Sequence, residues 1–406
     1  MFEQMLSHMT FVDVFNWSVL LVFSICYIYQ FYYVFVVLTR KPLLQEAKAN
    51  HKYAVMISAR NESQVIGDLI HSIRVQNYPQ ELISIFVIAD NCTDTTAKTA
   101  SSHGATVFER NDTSKVGKGY ALNFLLSKLK ESGKTPDAYL VLDADNVLSR
   151  DFITEINRTY SDGYEIVTCY RNSKNFGDSW ISSAYAVWYL HDSVHLNAAR
   201  MMLGTTCAVT GTGFGFTRAL LERIDGWSFF TLTEDVEFDN WCAVNGVRIG
   251  FCREAMLYDE QASTFAQSWK QRIRWTQGGL QVSLLYAGRQ LRGMLRGGRT
   301  GWASFEAATL SLGGYLLSAL SGLSVAVTGL AQSGLRGLLA LGFQELLMAQ
   351  RVFEVQQFLG THDFITSAGD SSPNWPDYPS EGPVFSEAGY VQRCSAAASV
   401  HQILRA

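Results

Sequence analysis

The chain has 406 residues, 48% of them hydrophobic and 17% charged, with a net charge of −4. That much apolar and aromatic residue excludes intrinsic disorder, and the acidic balance leaves no polycationic surface for nucleic acid. Seven cysteines without a CxxC pair argue against a disulfide scaffold or zinc ribbon and suit a reducing compartment.

In chain order, a short segment at 1–13 leads into an uncharged stretch at 14–38. As a helix that stretch would reach about 37 Å, more than the roughly 30 Å hydrocarbon core, so it is expected to span a membrane. Arg40, Lys41, Lys48 and Lys52 follow at once, which by the positive-inside rule puts the downstream domain in the cytosol. From Tyr53, YAVMIS reads as a strand, with Asn61 capping a helix through Leu69, Ile70 and Ile73. ISIFVIAD is a second strand that turns at Asn91 to Asp94, and a helix runs from Lys118 past Leu122, Leu125, Leu126 and Leu129. AYLVLDAD is a further strand, its continuous apolar run marking burial on both faces. This alternation predicts an α/β, doubly wound domain with a mostly parallel sheet over residues 50–275. Ligands of such folds bind at the carboxyl ends of strands, and Asp90, Asp143 and Asp145 fall there.

The later part of the chain reads as membrane-associated. An interfacial helix is expected at 276–300, with Trp269 and Trp275 as anchors just ahead of it. A second uncharged stretch at 307–331, rich in Gly, Ala and Ser, suits helix packing within a bilayer and predicts another transmembrane helix. A short apolar run at 337–348, interrupted by Glu345, is a further membrane candidate, and 352–406 is a polar tail without helical period. Together these make a multi-pass cell-membrane protein with a cytosolic catalytic domain.

Several residue sets carry chemistry. Asp143 and Asp145 flank Ala144 at a strand end, where two carboxylates can hold Mg²⁺ or Mn²⁺ bridging a diphosphate. Thr233, Glu234 and Asp235 open a helical stretch, and Gln271, Arg274 and Trp275 share one helical face by their spacing. His191 and His195 stand one turn apart with Asp192 nearby, but no HExxH or third ligand accompanies them. GTGFGF at 211–216 is not GxGxxG, and GKGYAL lacks the Walker A spacing, so nicotinamide and P-loop chemistry are disfavoured.

Asp90, the Asp143–Asp145 pair, the Thr233–Asp235 triplet and the Gln271–Trp275 set occur in that order ahead of a membrane span. The combination resembles the processive-type branch of the family 2 glycosyltransferases, which includes cellulose, chitin, hyaluronan and poly-N-acetylglucosamine synthases. The resemblance covers about residues 50–290 and implies a GT-A-like fold. It implies a nucleotide-binding turn at Ala59, Arg60 and Glu62, a uracil partner in Asp90 and a basic residue near the nucleotide in Lys118. The family's Asp-Asp-Gly-Ser is here Ala89-Asp90-Asn91-Cys92, with only the second Asp kept. Asp143 and Asp145 match the metal and diphosphate carboxylates, and Asp235, with Glu234 beside it, matches the catalytic base. Gln271, Arg274 and Trp275 match the motif that closes over the diphosphate, with Trp275, Gly211 and Thr212 lining the acceptor. The implied activity is inverting transfer from a UDP-sugar, UDP-N-acetylglucosamine first and UDP-glucose second, to a growing β-linked polysaccharide. Alternatives are a lipid acceptor, or an inactive UDP-sugar-binding relative. Two convincing spans cannot enclose a glycan channel, so polymer export would call for partner membrane subunits.

Overall fold

Strand β1 (Tyr53–Ala59) alternates its side chains between two apolar cores. Val55 and Ile57 enter one, Ala54 and Met56 the other, as a strand covered on both faces requires. It is the hub of an eight-stranded sheet in a computed structural model that describes residues 10–40, 47, 49–310, 319–324 and 328. The other strands are β2 (Ile83–Asp90), β3 (Thr106–Arg110), β4 (Ala138–Asp143), β5 (Val147–Leu148), β6 (Ile166–Ser173), β7 (Phe214–Thr217) and β8 (Ile249–Asp259). Their order is β3-β2-β1-β4-β7-β6-β8-β5. Neighbours from β3 to β4 are parallel, as are β6 and β8, whereas β7 runs against both β4 and β6, and β5 against β8. The expected mostly parallel α/β sheet is present.

Register positions the site. Ser58 lies beside Asp143 and Ala59 beside Ala89, so β1, β2 and β4 end at one level. That level is the crevice where strand order departs from β1 in both directions. A bulge interrupts β6 and β8 between Cys169 and Tyr170, after which Arg171 pairs with Leu257 and Ser173 with Asp259.

Two expectations are corrected. Asn61 does not cap a helix, because the helix begins at Ile66. Asn61 instead adopts a left-handed φ of 59°, a conformation Asn tolerates, and its side chain accepts from the Thr93 backbone at 2.8 Å. Nor does the helix expected at 276–300 begin at 276. A single 31-residue helix, Phe265–Leu295, starts eleven residues earlier and covers the region up to 295, opened by a capping box between Thr264 and Gln267. Gly278 sits inside this helix because a neighbour occupies the space of a side chain. A methyl there would lie 2.6 Å from Thr233 Cγ2, so the long helix is pressed onto the turn that opens helix Glu234–Asn245.

Helices Phe11–Tyr27 and Tyr29–Thr39 form one 29-residue apolar run, the one helix among the described residues long and apolar enough to cross a membrane. Phe11 and Leu38 are 81% and 72% exposed, which a soluble core helix would not allow. The run's second half packs Tyr33 against Leu196 and Ala199, and Trp302 Nε1 donates to the Tyr33 hydroxyl at 2.8 Å. Asn16 Nδ2 donates to Thr328 Oγ1 at 2.9 Å, and Ser324 donates to Asn16. The expected span at 307–331 is described only at 307–310, 319–324 and 328, and the regions 337–348 and 352–406 lie outside the described residues.

Candidate active site

Lys118 opens its helix at the carboxyl end of the sheet, ion-paired to Asp143 and donating to the Gly211 carbonyl at 2.7 Å. Burial alone would lower its pKa, but the carboxylates of Asp143, Glu234 and Asp235 outweigh that and hold it above its ordinary value. The Asp143 backbone N–H donates to Asn146 Oδ1 and Thr212 Oγ1, each at 2.9 Å. Burial pushes Asp145 up to about 8, with the negative charges of Asp259 and Asp143 adding to the effect.

These carboxylates suit a hard divalent cation. Burial and the nearby negative charges of Asp259 and Asp143 both disfavour ionised Asp145, a condition that a bound cation would relieve. Among the described residues no three His, Cys, Asp or Glu side chains come together as a metal site. Two carboxylates with the remaining positions left to substrate phosphates and water is the usual Mg²⁺ arrangement.

At the nucleotide end, Asp90 is buried and its Oδ1 accepts from Arg110 at 2.6 Å and Asn91 Nδ2 at 3.0 Å. Arg110 also donates to the Lys115 carbonyl at 2.6 Å, fixing the loop that leads into Lys118. Ala59 accepts from Cys92 Sγ, and Glu62 N–H donates to Thr96 Oγ1 at 2.8 Å, so this turn abuts the end of β2. Glu62 is raised by burial, with Asp143 next in effect, while Arg60 is exposed.

At the opposite end, Gly211 has φ +83° and a methyl on it would lie 3.4 Å from Asp235 Oδ2. Backbone therefore approaches the carboxylate closely, in a conformation that favours glycine. Burial raises Asp235 and pushes Glu234 up to about 7, the neighbouring Asp235 charge contributing to the latter. Of Thr212, expected to line the acceptor through the backbone of its turn, the side chain points inward. It is fully buried and donates to Asn146 Oδ1 at 2.5 Å, so its side chain fastens the Asp143–Asn146 turn. Trp275 packs edge-on against Tyr185 and Trp188 at 5.9 and 6.1 Å. Gln271 buries an Oε1 without a hydrogen-bond partner and Arg274 is exposed. Among the described residues neither is bonded to Asp143 or Asp145. His191 and His195 lie on and after helix Trp180–His191, in and next to a π-helical turn.

Four residues in this site escaped the sequence reading: Asn146, Arg171, Asp259 and Arg110. Asn146 directly follows the Asp143–Asp145 pair and could have been read with it. The others meet their partners only through strand pairing.

A family model described as "Glycosyltransferase like family 2" matches residues 50–278, more than half the chain. The chain belongs to glycosyltransferase family 2. A beta-monoglucosyldiacylglycerol synthase of Synechocystis is 24% identical over 248 residues, 57% of this chain and 48% of that protein. A poly-beta-1,6-N-acetyl-D-glucosamine synthase of Staphylococcus aureus is 25% identical over 238 residues, 56% of this chain and 55% of that one. The chain spans about half the length of these curated relatives. A mannosyltransferase from Pyrobaculum calidifontis, solved with GDP-Man and Mn²⁺, shares the fold with TM-score 0.62 at 17% identity, covering 86% of this chain and 96% of its own. The α/β domain of the glycosyltransferase is thus GT-A-like.

If this raised pair of acids takes part in transfer, turnover is expected to depend on pH near neutrality. Glu234 ionises near 7 beside Asp235, so Glu234→Gln removes a neighbouring negative charge and makes Asp235 easier to ionise. Turnover of Glu234→Gln, followed from pH 5 to 9, is expected to keep its rising limb but move it to lower pH. Loss of the limb altogether would make Glu234 the base.

Proposed function

We propose that this glycosyltransferase is a membrane-bound, inverting enzyme that moves a sugar from a UDP-sugar to a lipid acceptor hydroxyl presented at the bilayer surface, with Mg²⁺ or Mn²⁺. One observation carries the acceptor reading. Trp269, Ile273, Leu280, Leu284 and Leu291 are exposed along one stripe of helix Phe265–Leu295, away from the side that packs on the domain. Lys270, Arg272, Arg274, Arg289 and Arg292 lie outside that stripe, the pattern of a helix lying in a membrane interface. Gly278 of the same helix touches Thr233, so the turn bearing Asp235 rests on the element that would meet lipid.

The side chains have separable parts in this reading. Asp90, with Oδ1 held by Arg110 and Asn91, keeps Oδ2 to accept from the uracil imide N–H. Lys118, ion-paired to Asp143, would meet the charge of the diphosphate, and the exposed Arg274 would close over it. A divalent ion held by Asp143 and Asp145 would neutralise charge on departing UDP. Asp235 takes the acceptor proton as the hydroxyl attacks the anomeric carbon. One base opposite one leaving group inverts the configuration, giving a β-linked product without a covalent enzyme intermediate. A catalytic domain on the cytosolic side agrees with the basic residues that follow residue 38.

The diacylglycerol-directed names among the relatives favour a lipid acceptor, and the poly-N-acetylglucosamine synthase favours a second reading, extension of a polysaccharide with partner membrane subunits. Membranes containing the protein, given labelled UDP-N-acetylglucosamine or UDP-glucose, decide between them. The expected product is organic-soluble and carries one or a few sugars. A long water-soluble polymer would establish the second reading, and absence of UDP release from every nucleotide sugar would sink both.

A further inference from the structure

Arg171 belongs to no motif, yet it lies between the two halves of the site. Its side chain is 11% exposed, with Nε donating to Asp259 Oδ2 at 3.0 Å, Nη2 to the same oxygen and Nη1 to the Thr210 carbonyl. The guanidinium lies 3.9 Å from the centroid of the Tyr189 ring. Asp259 in turn accepts from Asn146 Nδ2 at 2.7 Å and Gln261 Nε2 at 2.8 Å. Asn146 is bonded to Asp143 N–H and Thr212 Oγ1. One buried network therefore joins the turn carrying the diphosphate carboxylates to the Thr210–Gly213 turn beneath Asp235. A methyl on Gly211 would touch both sides of that arrangement, Asp235 Oδ2 at 3.4 Å and Arg171 Nη1 at 3.9 Å.

We propose that Arg171 is a positioning residue for transfer, holding the Thr210–Gly213 turn in place under Asp235 and keeping a fixed positive charge facing that carboxylate. The proposal rests on the reading of Asp235 as general base. A rigid fork suits the task, since one guanidinium can bridge a carboxylate and a carbonyl at set angles where an ammonium cannot. The bulge between β6 and β8 supplies the aim, because it brings Arg171 and Asp259 to the same strand ends. Other charged or titratable groups facing Asp235 are Lys118, Glu234, Asp239 and Tyr189. All of them remain in a variant that removes Arg171 together with Asp259, where losing the arginine charge that faces Asp235 is opposed by losing the more remote Asp259 charge.

The test uses the full chain in membranes and three variants. Arg171→Met/Asp259→Asn removes the buried pair together, so no lone buried charge is left to unfold the protein. It is expected to bind UDP like the wild type, to lose about 10²-fold in kcat as misplacement of a reacting group does, and to move its rising pH limb in the alkaline direction, because the charge lost nearer Asp235 is the positive one. Arg171→Lys keeps the charge and loses the fork, so its limb stays at the wild-type pH while kcat falls by less. Asp235→Asn is measured alongside. Wild-type kcat and limb in the double variant would overturn the proposal. So would UDP affinity and melting temperature falling in step with kcat, which marks a merely structural role. If Asp235→Asn also transfers normally, it is the base assignment that has failed.

Discussion

Asp235→Asn is expected to lower transfer by about 10² to 10⁴-fold, the usual cost of removing a general base, while UDP binding stays near wild type. The amide keeps the carboxylate's shape but cannot take a proton at neutral pH. Asp235 stands in the first turn of helix Glu234–Asn245 and lies against Gly211. Single-turnover rates with labelled donor, alongside UDP titration by calorimetry, separate the two effects. Near-normal turnover in the variant would move the base elsewhere, and weakened UDP binding would make Asp235 a nucleotide ligand.

Asp145→Asn should change stability and activity in opposite directions. An unfolded carboxyl titrates near 4, whereas burial pushes Asp145 up to about 8 in the fold. The protonated acid therefore favours the fold at low pH, and that contribution is lost as pH rises through about 8. Asparagine cannot ionise and does not lose it. At pH 5 variant and wild type should melt alike, and at pH 8 the variant should melt several degrees higher. Mn²⁺ should raise the wild-type melting temperature, more so at pH 8 than at pH 5, and leave the variant's unchanged. Turnover should fall at least about 10²-fold with the loss of a carboxylate for the ion. Equal melting temperatures at pH 8, or a variant that still gains from Mn²⁺, would remove Asp145 from the proposed metal site.

Much of the α/β half was legible because its strands are short apolar runs that alternate with periodic helices. Tyr53–Ala59, Ile83–Asp90 and Ala138–Asp143 lie within a residue or two of the expected strands, since burial on both faces leaves an unbroken apolar signature. Asp90 and Asp143 at strand ends followed from the same pattern. The antiparallel strand β7 did not, because it is four residues long and its place between β4 and β6 depends on contacts remote in sequence. Arg171 and Asp259 were invisible for the same reason, being 88 residues apart and joined only across the β6–β8 pairing. Asn61 misled because one residue type serves both helix caps and left-handed turns. The packing role of Gly278 was not legible either, because only the Thr233 side chain opposite shows that this glycine marks a point of contact.

That contact also bears on which hydroxyls the enzyme can use. Helix Phe265–Leu295 extends about 46 Å at 1.5 Å per residue, long enough to settle flat rather than pivot on a bilayer. With Gly278 seated on Thr233 near its middle, the helix would, in the proposed interfacial orientation, work as a height gauge that fixes how far Asp235 stands above the lipid plane. On the proposed orientation, acceptors would then be selected by the elevation of their reactive hydroxyl, so that lengthening a headgroup by one sugar would carry the next hydroxyl out of register and end the product early.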